Sequence, residues 1–560
     1  MKLVFVGADH EVTGSCHYVE VGEKKLCVDI GMEQGKDLFE NQEIPVNPSE
    51  IDFIFLTHAH IDHTGLLPML YARGFRGQVY ATKATVELSQ IMLRDSAHIQ
   101  QFEAEWRNRK ARRSGGETYQ PLYTMEDAMG AIQLLIPCDY DRLIPVCDEI
   151  TVRFTDVGHL LGSSSMEIMG REDGEERTIV FSGDIGNVNK PILKNPTYTK
   201  AADYVVMEST YGDRLHGGTP DHVGELADII EQTFERGGNV VIPSFAVGRT
   251  QELLYFIRQI KERGLVTAKP DFEVYVDSPL AVEATSIFKK NVQQCFDDEA
   301  RGLVEKGINP IGFPGLKLSI TSEDSKAINF DMEPKVIISA SGMCEAGRIR
   351  HHLKHNLWRR ESTIVFVGYQ THGTLGRSLL EGASQVKLFG EVVEVQAVIT
   401  KIAGVSGHAD RDGLLKWING FTERPPKHVF VVHGEDSVCT SFTRTLEDSG
   451  YIASAPYSGS VFDLISGEFV KEALPVAVKK KAAAKKRSGD MFQRLMTAGQ
   501  RLISVIRKNE GLSNKDTAKC ADQINALCVK WDRCIGWRTN GGGATAWQCI
   551  QISSRCWTMI

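Results

Sequence analysis

The apolar positions of the first 200 residues fall into short runs bounded by glycine-rich or polar turns: Leu3–Gly7, Leu26–Ile30, Phe53–Leu56, Val79–Ala81, Val152–Phe154, Thr178–Phe181 and Tyr204–Met207. Runs of this length, rich in β-branched and aromatic residues, predict strands. From about Thr210 to Ala403 the pattern changes. Here β-rich runs at Asn239–Ile242, Phe272–Val276, Lys335–Ser339 and Thr363–Val367 each lead into Gly, Ser or Pro and then a helix-like stretch. That alternation predicts a parallel α/β unit. From Gly404 to about Leu474 the first pattern returns, with a helix around Leu414–Trp417 and a strand at His428–Val432. The simplest organisation is a host domain in two parts, 1–209 and 404–474, interrupted by an inserted domain, 210–403.

Past Pro475 the chain changes character. The stretch VAVKKKAAAKKRSG reads as a solvated Lys/Ala linker, 475–489, and a Cys/Trp-rich extension fills 490–560. In the extension Met491, Phe492, Leu495, Leu502 and Ile506 recur at helical spacing, and Gly511 reads as a stop. Cys520, Cys528, Cys534, Cys549 and Cys556 contain no C-x-x-C pair, which argues against a zinc ribbon.

At 560 residues the chain exceeds what one core serves, so two large domains are expected. No apolar run approaches the length of a membrane span, and the opening MKLVFVGADHEV turns polar too early for a signal peptide. Seven of the twelve cysteines are scattered without paired spacing, as in reduced proteins. No membrane association and a cytoplasmic setting follow as expectations. The net charge of −8 gives no global basic footprint, so any nucleic-acid contact must rest on a local groove.

The chemistry is concentrated in Thr57-His58-Ala59-His60-Ile61-Asp62-His63-Thr64-Gly65, directly after an apolar strand. Alternate residues of such a turn diverge, so H-x-H-x-D-H can point two ligand sets at two neighbouring metals. A lone histidine is more often structural; four ligand-type residues at this spacing are not. Two metals need more ligands than this turn supplies. His159, Asp184 and His433 each stand where an apolar strand meets a glycine-containing turn, in FTDVGHLLGSSS, FSGDIGN and VVHGE, the usual address of catalytic groups.

HAHIDH, GHLLGS and SGD resemble the successive metal motifs of the metallo-β-lactamase superfamily, and Asp29 in CVDIG resembles its first motif, an acidic residue that orients the site. The implied fold is α/β: an αββα metallo-β-lactamase sandwich. By itself this leaves lactamases, thioesterases, flavoproteins and nucleases open. VVMESTYG, VSGHAD and VVHGE resemble motifs A, B and C of the β-CASP nucleases, and GADHEVTGSCHYVE, PSFAVGRTQE, SASGMCEAGR and GYQTHGTLGR extend the match over roughly residues 1–470. The insert is then a parallel α/β β-CASP domain, and the histidine of motif C favours RNA over DNA.

Residue by residue, the resemblance implies one zinc ion on His58, His60, His159 and Asp184, and a second on Asp62, His63, His433 and the shared Asp184. A two-metal-activated hydroxide would hydrolyse single-stranded RNA, with Asp62 counted among the catalytic residues as well as the ligands. Glu208 and His408 are the expected proton donors to the leaving 3′-oxygen. Substrate contacts are expected at the small-residue turns Ser341-Gly342 and Gly373-Thr374 and at Arg249 and Arg377. The basic run Arg107–Arg113 is a further rim for RNA, or simply a solvated helix face. Two rivals remain: a DNA nuclease of the same branch and a non-catalytic RNA-binding or scaffolding subunit. A second copy of the chain is an admissible partner, and cleavage inside the RNA or from its 5′ end is left open.

Overall fold

A computed structural model describes residues 1–478 apart from 35–37, 115–117, 218–220, 369, 372 and 403–405, and beyond them 496, 498, 499, 501–507 and 513–539. Chain contacts divide it into two units, Met1–Thr497 and Ala498–Ile560.

The first unit is built on three large sheets. Two belong to the host segments. One has eight strands in the order Glu468–Lys471, Val461–Asp463, Lys2–Gly7, Cys16–Val21, Lys24–Val28, Phe53–Phe55, Gln78–Thr82, Leu135–Cys138. The other has seven: Ala453–Ser454, His428–Val432, Tyr204–Glu208, Glu175–Phe181, Ser164–Glu172, Ile150–Asp156, Ile144–Cys147. Strand residues alternate between faces, so each sheet has an inner and an outer set. Phe5, Leu26 and Phe55 of the first sheet meet Phe154, Phe181, Tyr204 and Phe430 of the second in one core. On the outer faces Leu67, Leu70 and Leu93 cover the first sheet, and Trp417, Phe442 and Leu446 cover the second. This is the expected αββα order of layers.

The third sheet is the insert's. Its six strands run Leu316–Ser319, Val274–Asp277, Val336–Ser339, Val240–Pro243, Thr363–Phe366, Val398–Lys401, and every pairing in it is parallel. Full burial of Val240–Pro243, Val336–Ser339 and Thr363–Phe366 explains why they read as continuous apolar runs and not as alternating ones. The core on one face of this sheet does not stop at the domain boundary. It takes in Ala59, Leu160 and Leu161 of the host, beside Leu253, Leu254 and Ile257 of the insert. Burying a leucine is worth about 1.5–3 kcal/mol, so the insert stabilises the very host loops that carry His58, His60 and His159.

The structure departs from the sequence expectation in several elements, the insert strands Leu316–Ser319 and Val398–Lys401 among them. Cys16–Val21 and Ser164–Glu172 are strands that no periodicity announced, and Lys83–Ser114 is a single helix of 32 residues. Of the expected linker, residues 475–478 run beside the chain at 38–40, with Glu40 donating to the Val476 carbonyl at 2.7 Å and Val478 donating to that of Leu38 at 2.9 Å; residues 479–489 lie outside the described residues. In the second unit Asn514–Thr539 is helical and carries Cys520 and Cys528 exposed. Residues 501–507 are helical too, in keeping with the apolar spacing of Leu502 and Ile506, whereas Met491, Phe492, Leu495 and Gly511 lie outside the described residues. Among the described residues no helix is long and apolar enough to cross a membrane.

Candidate metal centre and active site

Six loops at one end of the sandwich supply the site. Thr57–His60 follow the strand Phe53–Phe55 and lead into the short helix Ile61–Thr64. His159, Asp184, Glu208 and His433 stand at or just past the ends of Ile150–Asp156, Glu175–Phe181, Tyr204–Glu208 and His428–Val432. Asp29 follows Lys24–Val28. Asp29 and His433 both adopt left-handed backbone, φ +57° and +50°, a cost accepted because neighbouring bonds fix them. His433 donates its N–H to the Ala8 carbonyl at 2.7 Å. The ligand turn is clamped to the Asp29–Met32 loop by Ile30 N–H to the His63 carbonyl (2.7 Å) and Met32 N–H to that of Ile61 (3.0 Å). Gly31 is required there, since a Cβ would fall 1.7 Å from the Asp62 carbonyl oxygen.

Four of the five histidines, His58, His63, His159 and His433, are held by one ring nitrogen so that the other faces inward. Asp29 Oδ2 lies 2.7 Å from His63 Nδ1, and both Asp29 oxygens accept from Thr57, at 2.8 Å each. Thr57 Oγ1 is 3.2 Å from His58 Nδ1, the Gly407 carbonyl 3.3 Å from His159 Nδ1, and Thr210 Oγ1 3.2 Å from His433 Nδ1. Inside, His58 Nε2 is 3.0 Å from His60 Nδ1, His159 Nε2 is 3.3 Å from His60 Nδ1, and His63 Nε2 is 3.2 Å from His433 Nε2. Asp184 stands between the two groups. Its Oδ2 lies 3.4 Å from His58 Nε2 and 3.5 Å from His159 Nε2, while Oδ1 lies 3.3 Å from His63 Nε2 and 3.6 Å from His433 Nε2.

This arrangement fits cations. Inward nitrogens opposed at such distances cannot all be satisfied by one another, and Asp184 Oδ1, buried, has no well-aligned hydrogen-bond donor. Two sets of ligand atoms converge, His58, His60, His159 and Asp184 on one side and Asp62, His63 and His433 on the other. The charges conflict accordingly. Burial pushes His58 and His159 well below the usual imidazole range, with the neighbouring histidines adding to it. Burial also opposes charge on His63, but Asp184 and Asp29 outweigh it and hold its pKa well up. At Asp62 burial raises the carboxyl pKa, yet the His433 hydrogen bond and the charges of His63 and His60 prevail and hold it at about 2. The cluster is a divalent-metal site.

Beside it stands a second pair. His408 Nδ1 lies 3.1 and 3.2 Å from the two Glu208 oxygens and 3.9 Å from Asp184 Oδ2. Glu208 is buried and also accepts from the Ile185 N–H at 2.5 Å, so it cannot swing away. Burial works against a charged His408, but Glu208 and Asp184 lift its pKa to about 9. The structure thus brings together all nine residues expected at the metals and the proton donor. It also adds His216, which the sequence reading missed. His216 Nε2 is 3.0 Å from the His408 carbonyl, and its N–H donates to Asp410 Oδ2 at 3.1 Å. Nothing in STYGDRLH signals that pairing, because its partner lies 192 positions away.

The expected RNA contacts are more scattered. Arg249 pairs with Glu252, a carboxylate also 3.5 Å from Lys190 Nζ, and that half-buried lysine donates to the His159 carbonyl at 2.7 Å. Arg377 pairs with Glu381 at 2.6 Å, and Thr374 caps its own helix by accepting from the Arg377 N–H at 3.2 Å. Gly373 is an open left-handed turn with φ +85°. Ser341 Oγ donates to the Ala346 carbonyl at 3.2 Å, and Gly342 lies against Phe245. In the basic run Arg107 lies over the Tyr119 ring and 3.4 Å from Glu103.

A sandwich whose strand ends converge histidines and aspartates on a shared carboxylate defines a metal-dependent hydrolase. Three family profiles match in succession: the metallo-β-lactamase superfamily over residues 11–244, the Beta-Casp domain over 250–379, and the Zn-dependent metallo-hydrolase RNA specificity domain over 392–456. Ribonuclease TTHA0252 of Thermus thermophilus is 38% identical over 437 residues, 78% of this chain and 94% of that protein. Transcription termination factor FttA of Methanocaldococcus jannaschii is 30% identical over 462 residues, covering 80% of this chain and 69% of that one. An RNase J-like protein of the same archaeon is 29% identical over 448 residues, 79% and 95% of the two chains. The chain belongs to the β-CASP ribonuclease family of the metallo-β-lactamase superfamily.

Proposed function

We propose that the protein is a two-zinc ribonuclease that hydrolyses phosphodiester bonds of single-stranded RNA. One observation carries the reading: the two oxygens of Asp184 face two separate ligand groups, with the Glu208–His408 pair 3.9 Å from the same carboxylate. His58, His60, His159 and Asp184 would hold one ion; Asp62, His63, His433 and Asp184 the other. When bound, such a pair supplies an activated water nucleophile and neutralises charge on the reacting phosphate. The chain's own residues do the rest. Asp29 fixes the His63 ring, Thr57 and Thr210 steady His58 and His433, and Glu208 engages His408 Nδ1 so that Nε2–H is left to protonate the departing 3′-oxygen. Proton donation of this kind typically contributes about 10²–10⁴-fold. The complete ligand set weighs against a non-catalytic scaffold, and nine free cysteines among the described residues suit a reducing, cytoplasmic setting.

The test is incubation of the zinc-loaded protein with end-labelled single-stranded RNA bearing a 5′-monophosphate or a 5′-triphosphate. Internal fragments from both substrates indicate an endonuclease; mononucleotides from the monophosphate alone indicate 5′ exonuclease action. A matched DNA strand cut as fast would favour the DNA-nuclease rival, and salt-sensitive RNA binding without turnover would favour the scaffold.

A further inference from the structure

Phe245 breaks the pattern of its surroundings. The strand before it, Val240–Pro243, is wholly buried, and so are Ser244, Ala246 and Val247; Phe245 is 46% exposed. The turn does not leave it out by looseness. Thr250 Oγ1 donates to the Phe245 carbonyl at 2.7 Å, Ser244 Oγ to the same oxygen at 3.2 Å, and the Gly248 N–H donates to Gln251 Oε1 at 2.7 Å. The ring is backed by glycine: a Cβ on Gly342 would lie 3.1 Å from Phe245 Cδ2, and one on Gly368 4.0 Å from Cε2. One side of the ring therefore rests on bare backbone and much of the rest meets solvent. The place is also distinctive, at the carboxyl end of a central strand of the parallel sheet, where open α/β sheets bind ligands. It is close to the metal loops. Three residues span at most about 10 Å of chain from Phe245 to Gly248, and a Cβ on Gly248 would lie 3.1 Å from Leu160 Cδ1, next to His159.

A rigid, half-exposed aromatic ring beside a phosphodiester-cleaving centre suits a flat π-surface, because little entropy is lost on contact and every nucleobase offers such a face. We propose that Phe245 is the stacking platform for one unpaired base of the RNA, a few nucleotides from the cut. The ring sets the register of the strand and not the chemistry. This inference rests on the ribonuclease reading.

The experiment is steady-state kinetics of the zinc-loaded enzyme on a short RNA and on a series in which one nucleotide at a time is made abasic. Phe245→Leu keeps the bulk but not the π-face, and should raise KM by about 5- to 150-fold with kcat retained. Phe245→Trp should restore the wild-type KM. One abasic position should raise KM for the wild type and have no further effect on Phe245→Leu. A wild type that cuts RNA while Phe245→Leu keeps its KM overturns the stacking site and leaves the ribonuclease reading intact, as does an abasic penalty unchanged by the substitution. A zinc-loaded wild type that neither binds nor cuts RNA overturns both.

Discussion

Asp277 in the insert and Asp184 in the host are both buried carboxylates in contact with histidine, and they are satisfied to opposite degrees. Asp277, in the insert, is fully buried and accepts from Ser319 Oγ at 2.7 Å, Ser325 Oγ at 2.6 Å and Arg348 Nη1 at 2.7 Å, with His352 Nε2 at 2.6 Å. His352 is bonded on its other nitrogen to Asn329 Oδ1 at 2.9 Å. Burial pushes the Asp277 carboxyl up, yet these partners outweigh it and hold it well below the usual range. Asp184, in the host, is as deeply buried, but its Oδ1 has no aligned donor and its histidine neighbours turn inward nitrogens at one another. Burial is alike at the two carboxylates. Completion of the bonding tells a structural staple from a site that needs a ligand.

The largest effect should come from breaking the incomplete cluster. Asp184→Ala is expected to abolish RNA cleavage and to lower bound zinc from two ions per folded chain, read by metal analysis, because both ligand groups lose their common member. Full activity in that variant would sink the assignment. Next, His408→Ala should keep its zinc and lose about 10²–10⁴-fold in rate. A substrate with a 3′-bridging sulfur at the scissile bond, whose leaving group needs little protonation, should largely rescue His408→Ala and Glu208→Ala but not Asp184→Ala. Zinc loss in His408→Ala, or no rescue, would rewrite the pair as metal-supporting.

The complete cluster should respond in stability and not in metal content. Asp277→Ala leaves Arg348 and His352 without their carboxylate, and should cost about 3–5 kcal/mol in denaturant unfolding while the folded fraction keeps its zinc. A smaller effect separates Asp156, whose buried carboxyl is lifted to about 7, the Gly158 N–H and Lys194 only partly opposing. A folded pKa above the unfolded value of about 3.9 means that its stabilising share is full below the latter and is lost as pH rises towards the former. Asp156→Asn keeps the acceptor for Gly158 and should flatten the fall in Tm over that window, melting above the wild type at alkaline pH by about 1 °C per kcal/mol recovered. An unchanged pH profile would remove Asp156 from the account. Smallest of all, truncation near Lys479 removes no ligand and should leave cleavage of a short RNA unaltered; a folded but inactive truncation would make the tail part of the enzyme.

How much of this was legible in the sequence follows from the range of the signals. His58 to His63 are neighbours in the chain, and His159, Asp184 and His433 each end an apolar strand, so local pattern exposed them. The resemblance to known nucleases supplied what pattern could not, the grouping of ligands from distant strands. Boundaries came within a few residues, as at Tyr204–Met207 against Tyr204–Glu208. Ser164–Glu172 went unread because it pairs on both sides and is buried on both faces over most of its length, so no alternation marks it. Lys83–Ser114 hid its helical period in a mixed polar surface. His216 and Lys190 escaped because a histidine or lysine bonded to a backbone carbonyl leaves no trace in its own surroundings.

The apolar seam through Ala59, Leu160 and Leu254 carries one more consequence. Part of the packing that holds the metal loops comes from outside the domain that carries them. Grafting the host segments alone onto another scaffold would strand Leu160 and Leu161 in water next to His159, so the sandwich is not a portable catalytic module. Conversely, a cavity opened at Leu254, deep in the insert, should loosen metal retention without touching any ligand, and selection for heat-resistant variants should accumulate substitutions along this seam before it reaches the catalytic turns.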